Sequence, residues 1–233
     1  MGFIIFIAII ALWVWYKKSH YNDDLWVKER VKNRTPDQQA VIRYFCNEPA
    51  CLSKKPISDT EYEEMLNKFL KSTDFKQKAL NKIGLDEDQV KEIEPVHFEG
   101  YVYGPNERNL AKQGEDKKWR SSKYQISWLF FSDTQVYIYQ YAFFLDEDGR
   151  EERTQEYFYK DITNFSTTSG IQETPKYDPK EKKEVLVNVN INRFDITVPG
   201  DHFYCSLEEN DNAYTESAIQ GMKAKLREKK SAS

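Results

Sequence analysis

Histidine and cysteine are scarce in this chain: three of each among 233 residues. Three cysteines (Cys46, Cys51 and Cys205) cannot all pair with one another. So sparse and odd a set points to free thiols in a reducing compartment. Cys46 and Cys51 stand at a CxxxxC spacing, but no second pair and no Cys-His cluster follows, so no metal site is expected. No phosphate-cradling glycine loop, HExxH or GxSxG occurs. The acidic clusters "DEDQ", "DEDG" and "EEND" fall in caps and turns, and "DEDGREE" lacks the ligand spacing of a calcium loop. An excess of positive charge is also missing. The net charge is -4 with 31% charged residues, which argues against a dedicated nucleic-acid binder. One nucleophile remains to be weighed, Cys205 with His202 or His97. Alternation places Phe203, Cys205 and Leu207 on one strand face and His202 and Tyr204 on the other, so Cys205 reads as a small core residue. The expectation is a non-enzymatic protein with no cofactor.

Charge of either sign is absent from Gly2 to Tyr16 in "MGFIIFIAIIALWVWYKKSH". As a helix this run is about 24 Å long, just short of a ~30 Å hydrocarbon core. Trp13, Trp15 and Tyr16 resemble an interfacial belt, and Lys17 and Lys18 can snorkel. A cleaved signal would carry a basic residue before the run and small residues after it, and neither is present. Phe6 stands where N-myristoylation wants Ser or Thr. Residues 1–20 are therefore expected to form a transmembrane anchor. Lys17, Lys18, Lys28, Arg30, Lys32 and Arg34 follow it. The positive-inside bias then gives a single-pass membrane protein with its C-terminal body in the cytoplasm.

What is present in quantity is aromatic: 15% of residues, a content that fits β-structure. From Thr35 to about Ile93 the pattern is helical. "TPDQ" and "SDTE" are capping boxes at Thr35 and Ser58, Gly84 ends a helix, and "DEDQVKEIEP" is a short fourth helix before Pro95. Residues 21–94 are read as a helical neck or subdomain. From Val96 the period becomes two. "KYQISWLFF" and "TQVYIYQYAFFL" are strands, and "DEDGRE" is a turn. "EYFYKDITNFSTTS" continues the sheet, and "GIQETPKYDPKEKK", with its prolines and charges, is a loop. Val185, Val187, Val189 and Ile191 alternate cleanly with Leu186, Asn188, Asn190 and Asn192. The last helix places Tyr214, Ile219, Met222 and Leu226 on one stripe. The sum is an α+β chain: an N-terminal transmembrane helix, a short helical segment, and a body of about seven antiparallel strands closed by a C-terminal helix. The body, residues 95–230, is expected to fold without the helices before it.

The pattern "VHFEGYVYG…KKWRSSKYQISWLFFSDTQVYIYQ" resembles the opening of a pleckstrin-homology (PH) domain. "YKDITNFSTTS" is similar to the middle strand of bacterial PH-like domains, and "NRFDITVPGDHFYCSL" with the last helix resembles their final hairpin and capping helix. In lipid-binding members the first inter-strand loop grips phosphates. The resemblance thus implies Lys117, Lys118, Trp119, Arg120 and Lys123, with Lys112, as ligands for an anionic lipid. Glu107, Glu115 and Asp116 lie in the same loop. Within "KYQISWLFF", Tyr124, Ile126, Trp128 and Phe130 share one face, while Gln125 and Ser127 point to the other, wet one. The expected function is a membrane-tethered module that binds a protein or peptide at the bilayer surface. A lipid-sensing version and an enzyme with an unrecognised site are the alternatives.

Overall fold

A computed structural model describes residues 25–47, 56–86, 94–207 and 213–232. Four short helices come first: α1 (Leu25–Val31), α2 (Pro36–Cys46), α3 (Asp59–Lys71) and α4 (Phe75–Ile83). Their starts follow from local chemistry. Thr35 and Ser58 each accept from the backbone three residues on, and Gln38 and Glu61 reach back to the cap N–H, so both capping boxes form. Gly84 ends α4 in the left-handed region at φ 80, which costs little without a Cβ. The expected fourth helix over residues 86–95 falls mostly outside the described residues.

The strands follow as β1 (Val96–Tyr101), β2 (Ala111–Gln113), β3 (Trp119–Ser121), β4 (Lys123–Phe131), β5 (Gln135–Phe144), β6 (Arg150–Phe158), β7 (Asn164–Asp178), β8 (Lys183–Val198) and β9 (Asp201–Leu207), and then helix α5 (Ala213–Ala232). They make a four-stranded sheet ordered β1-β4-β5-β6, a small hairpin β2-β3, and a three-stranded sheet β7-β8-β9. Every pairing is antiparallel.

Two apolar layers hold this together, one on each face of the first sheet. On one face, Leu129, Phe131, Val136 and Ile138 meet Phe194, Ile196, Phe203 and Cys205 of the second sheet, with Ile219 and Leu226 of α5. On the other, Tyr124, Ile126, Phe130, Tyr139, Tyr141 and Phe143 are covered by Leu66, Phe75, Ala79 and Leu80 of α3 and α4. The order is helices, sheet, sheet. Gln125 and Ser127 are buried rather than wet, because their face looks onto β9. Gln125 Oε1 accepts from Ser206 N at 3.0 Å, and Gln140 Nε2 donates to Tyr204 O at 2.8 Å. Side-chain amides thereby satisfy a strand edge that would otherwise be buried with unmet polar groups.

Three expectations are corrected. Among the described residues no helix is long and apolar enough to cross a membrane. The longest, α5, carries Lys223, Arg227 and Glu228 along its length, a composition unsuited to hydrocarbon. The anchor expected over residues 1–20 lies outside the described residues. The transmembrane helix, the single-pass topology and the cytoplasmic placement derived from them are set aside. Second, the body has nine described strands rather than about seven. Third, the expected loop from Gly170 to Lys183 is strand almost throughout. β7 runs on to Asp178 and β8 begins at Lys183. Pro175 is tolerated there because β7 is an edge strand.

Candidate functional site

The stretch before β4 folds as a hairpin pinned to the helices. Its turn uses Lys117 in the left-handed region (φ 68). Gly114 N donates to Lys118 O at 2.9 Å, and Lys118 N donates to Asp116 Oδ1 at 3.0 Å. Arg120, 2% exposed, reaches back under this turn. Its Nη1 and Nη2 donate to the two oxygens of Asp116 at 2.9 and 2.8 Å, and its Nε and Nη2 donate to Glu63 Oε1 at 3.0 and 2.5 Å. Asp59 stands 3.9 Å away and itself accepts from Tyr44 Oη and from Glu115 N. The Arg120 hydrogen bonds hold the Asp116 carboxyl well below the usual carboxylate range.

Lys123 is buried in a second clamp. Its Nζ donates to Glu107 at 2.7 Å and to Glu151 at 2.9 Å, with the Phe144 ring 5.1 Å away. Burial alone would lower its pKa, but the two carboxylates outweigh it and the net shift is upward. Lys112 donates to Tyr44 O at 3.0 Å. Of the residues named for an anionic ligand, Arg120 and Lys123 are thus held by internal carboxylates. Lys117 and Lys118 are exposed, and Trp119 is half-buried.

The structure brings Lys118, Trp119 and Arg120 to one cleft, about 200 Å³ in volume, between α3, β3 and β8. Lys117 and Lys123 do not line it. Tyr101, Tyr103, Tyr204 and Arg193 do. These four were not singled out from the sequence, because they come from three distant stretches and carry no common motif.

A second surface is the outer edge of β7. Among the described residues no strand pairs with it. Its C-terminal end is covered: Gly104 N and Asn109 Nδ2 donate to Thr174 Oγ1, and Tyr177 is buried under Trp26. From Asn164 to Gln172 most residues are half or fully exposed. Ile171 is 69% exposed, and Leu186, further along the same face, is 56% exposed. The stretch "NFSTTSGIQ" has no charge. The β6 edge of the first sheet is "REERTQEYF", with a charge at Arg150, Glu151, Glu152, Arg153 and Glu156. Charges on an edge discourage strand addition. An uncharged run in a chain this rich in charge was a sequence signal that could have marked β7.

Cys205 is fully buried with its thiol pushed up by burial. His202 lies on the opposite face, 3.1 Å from Asp195. Cys46 is buried as well, and Cys51 lies outside the described residues. No group of metal ligands forms among the described residues. Comparisons with protein-family models, with curated proteins and with solved structures found no match to this chain.

Proposed function

We propose that this protein is a non-enzymatic interaction module that binds an extended segment of a partner protein by adding it to β7. The observation that carries the reading is the uncharged edge from Asn164 to Gln172, which no strand pairs among the described residues, about 30 Å of main chain at strand spacing. Main-chain pairing supplies affinity in such complexes, and alternate side chains supply selectivity. Ile171 offers an apolar contact on the face next to the added strand. The four-stranded sheet, three-stranded sheet and closing helix support a PH-like reading of the body, which rests on the sequence pattern from Pro95 to Lys230. A lipid-sensing role would draw on Lys117 and Lys118, the exposed cations of the β2-β3 turn.

Selection from a displayed library of random twelve-residue peptides tests the proposal. Selected peptides should slow hydrogen exchange at β7 amides between Asn164 and Gln172. Ile171→Lys, at a largely exposed site, should keep the fold and weaken those peptides at least tenfold. Peptides that bind the variant equally well, with no protection in β7, would refute the reading.

A further inference from the structure

We propose that the cleft between α3, β3 and β8 binds one neutral sugar ring, a hexopyranose. The argument starts from size. The cleft holds about 200 Å³, and cavities of ~150 Å³ accept benzene. It therefore suits one substituted six-membered ring rather than a drug-sized ligand. Charge then argues for neutrality. Arg120 is met by Asp116 and Glu63, with Asp59 nearby. Arg193 stands 3.7 Å from Asp195 and over the Tyr204 ring at 5.4 Å. Glu99 is engaged as well. Lys118 is the one lining cation without a partner among the described residues, and it is exposed. A charge standing in water contributes little, so no sign dominates the cleft.

The unengaged groups that line the cleft are polar, and they mix donors with acceptors. The Asn67 and Asn190 side chains make no hydrogen bond, and each amide offers both roles. Trp119 Nε1 adds a donor and Tyr204 Oη either role. Neither atom has a partner, and neither is sealed from the surface. Glu63 gives only its Oε1 to Arg120, which leaves Oε2 to accept. Asn67 follows Glu63 by one turn of α3, so the two face the same side. On the β8 side, β9 pairs only from Asn192 to Val198, so no strand among the described residues takes that edge at Asn190 and Ile191. The hydroxyls around a pyranose donate and accept alike, and a mixed set of this kind meets them.

A sugar ring also needs an apolar floor for its C–H face. The Tyr101 ring is already taken, packed against Tyr62, Tyr103 and Tyr124. Trp119 is different. It lines the cleft, it is half-buried, and its indole has no aromatic or cationic neighbour. An indole so placed offers a broad apolar face with a donor at its edge. Stacking on Trp119 brings the rim of the ring toward the polar groups of α3 and β8.

Ligand-observed NMR on the full chain tests this with the methyl pyranosides of glucose, galactose, mannose and N-acetylglucosamine, and with cyclohexanol and uridine as controls. At least one glycoside should bind saturably, and the weakest of the four about tenfold less well, because fixed hydrogen bonds read hydroxyl orientation. Added salt should leave the binding unchanged, as it must for a neutral ligand. Trp119→Ala should weaken the best glycoside about tenfold or more, and Asn190→Ala, at an exposed site, about fivefold with thermal unfolding unaltered. Trp119→Phe keeps a ring in place and should retain part of the binding, so the test survives if Trp119→Ala does not fold. No saturable binding by any of the four, equal binding of cyclohexanol or uridine, or undiminished binding in both Trp119→Phe and Asn190→Ala would overturn the proposal.

Discussion

The Asp146 side chain sits in a loop after β5 with 4% of its surface exposed. Its Oδ1 has no hydrogen-bond partner, and Arg30 stands 4.0 Å away. Burial pushes its pKa from 3.8 up to about 6. A raised pKa means that the folded state holds the proton more tightly than the unfolded one. Its contribution is fully present below pH ~4 and is lost as pH rises through about 6. Asp146→Asn should therefore stabilise the fold at neutral pH, by roughly 1–3 kcal/mol. The gain should appear between about pH 4 and 6 and level off above. Urea unfolding of both proteins across pH 4 to 8 measures the difference, and a gain independent of pH would show that charge burial is not its cause. Arg120 presents the opposite case, a buried charge fully met. Arg120→Met removes the partner of Asp116 and Glu63 and should cost about 3–5 kcal/mol in denaturant unfolding. Arg120→Lys should recover only part, because an ammonium cannot make the bidentate pair. A loss under ~1 kcal/mol for the methionine variant would mean the clamp is not stabilising. The concentration of cations around Trp119 was legible in the sequence. Asp116 and Glu107 stood in the same loop as candidate partners, but Glu63 was not legible, because it lies 57 residues from Arg120 and its side chain meets the hairpin only after α3 docks.

Local chemistry told more about the elements than about their neighbours. The two capping boxes, the Gly84 helix end and the buried face of β9 all follow from short-range pattern. Gln125 and Ser127 misled for a physical reason: alternation separates two faces but does not say that the polar one meets a second sheet. The stretch "GIQETPKYDPKEKK" misled because prolines and charges fit an edge strand as well as a loop. Within the β2-β3 hairpin, Gly114 is required by space. A Cβ there would lie 2.4 Å from both Arg120 Nη1 and Asp59 Oδ2. Arg120 is fully buried and cannot swing away. Gly114→Ala should cost about 1–3 kcal/mol by overpacking, and Arg120→Met should reduce that cost because the two effects share one contact. A double-mutant cycle measures it, and strict additivity would mean that the two residues act independently.

At the scale of the molecule, packing crosses the change of period near residue 94. Leu66, Phe75, Ala79 and Leu80 close the face formed by Tyr124, Ile126, Phe130, Tyr139, Tyr141 and Phe143. Tyr62 donates to Ser121 O at 2.6 Å, and Lys78 stacks on Tyr141 at 3.9 Å. Each large side chain uncovered forfeits about 1.5–3 kcal/mol, and a whole domain is stable by only about 5–15 kcal/mol. Losing the cover from several aromatics at once therefore removes most or all of the margin. A chain beginning at Glu94 should fail to fold as a monomer. It should bind ANS strongly, run as aggregate in size-exclusion chromatography and show no cooperative thermal transition, whereas residues 25–233 should unfold in one. Adding the separate segment 25–86 in trans should restore part of the structure if the apolar face is the cause. A chain from Glu94 that melts cooperatively at the temperature of the longer one would show that the helices are an accessory to the sheets and not part of their core.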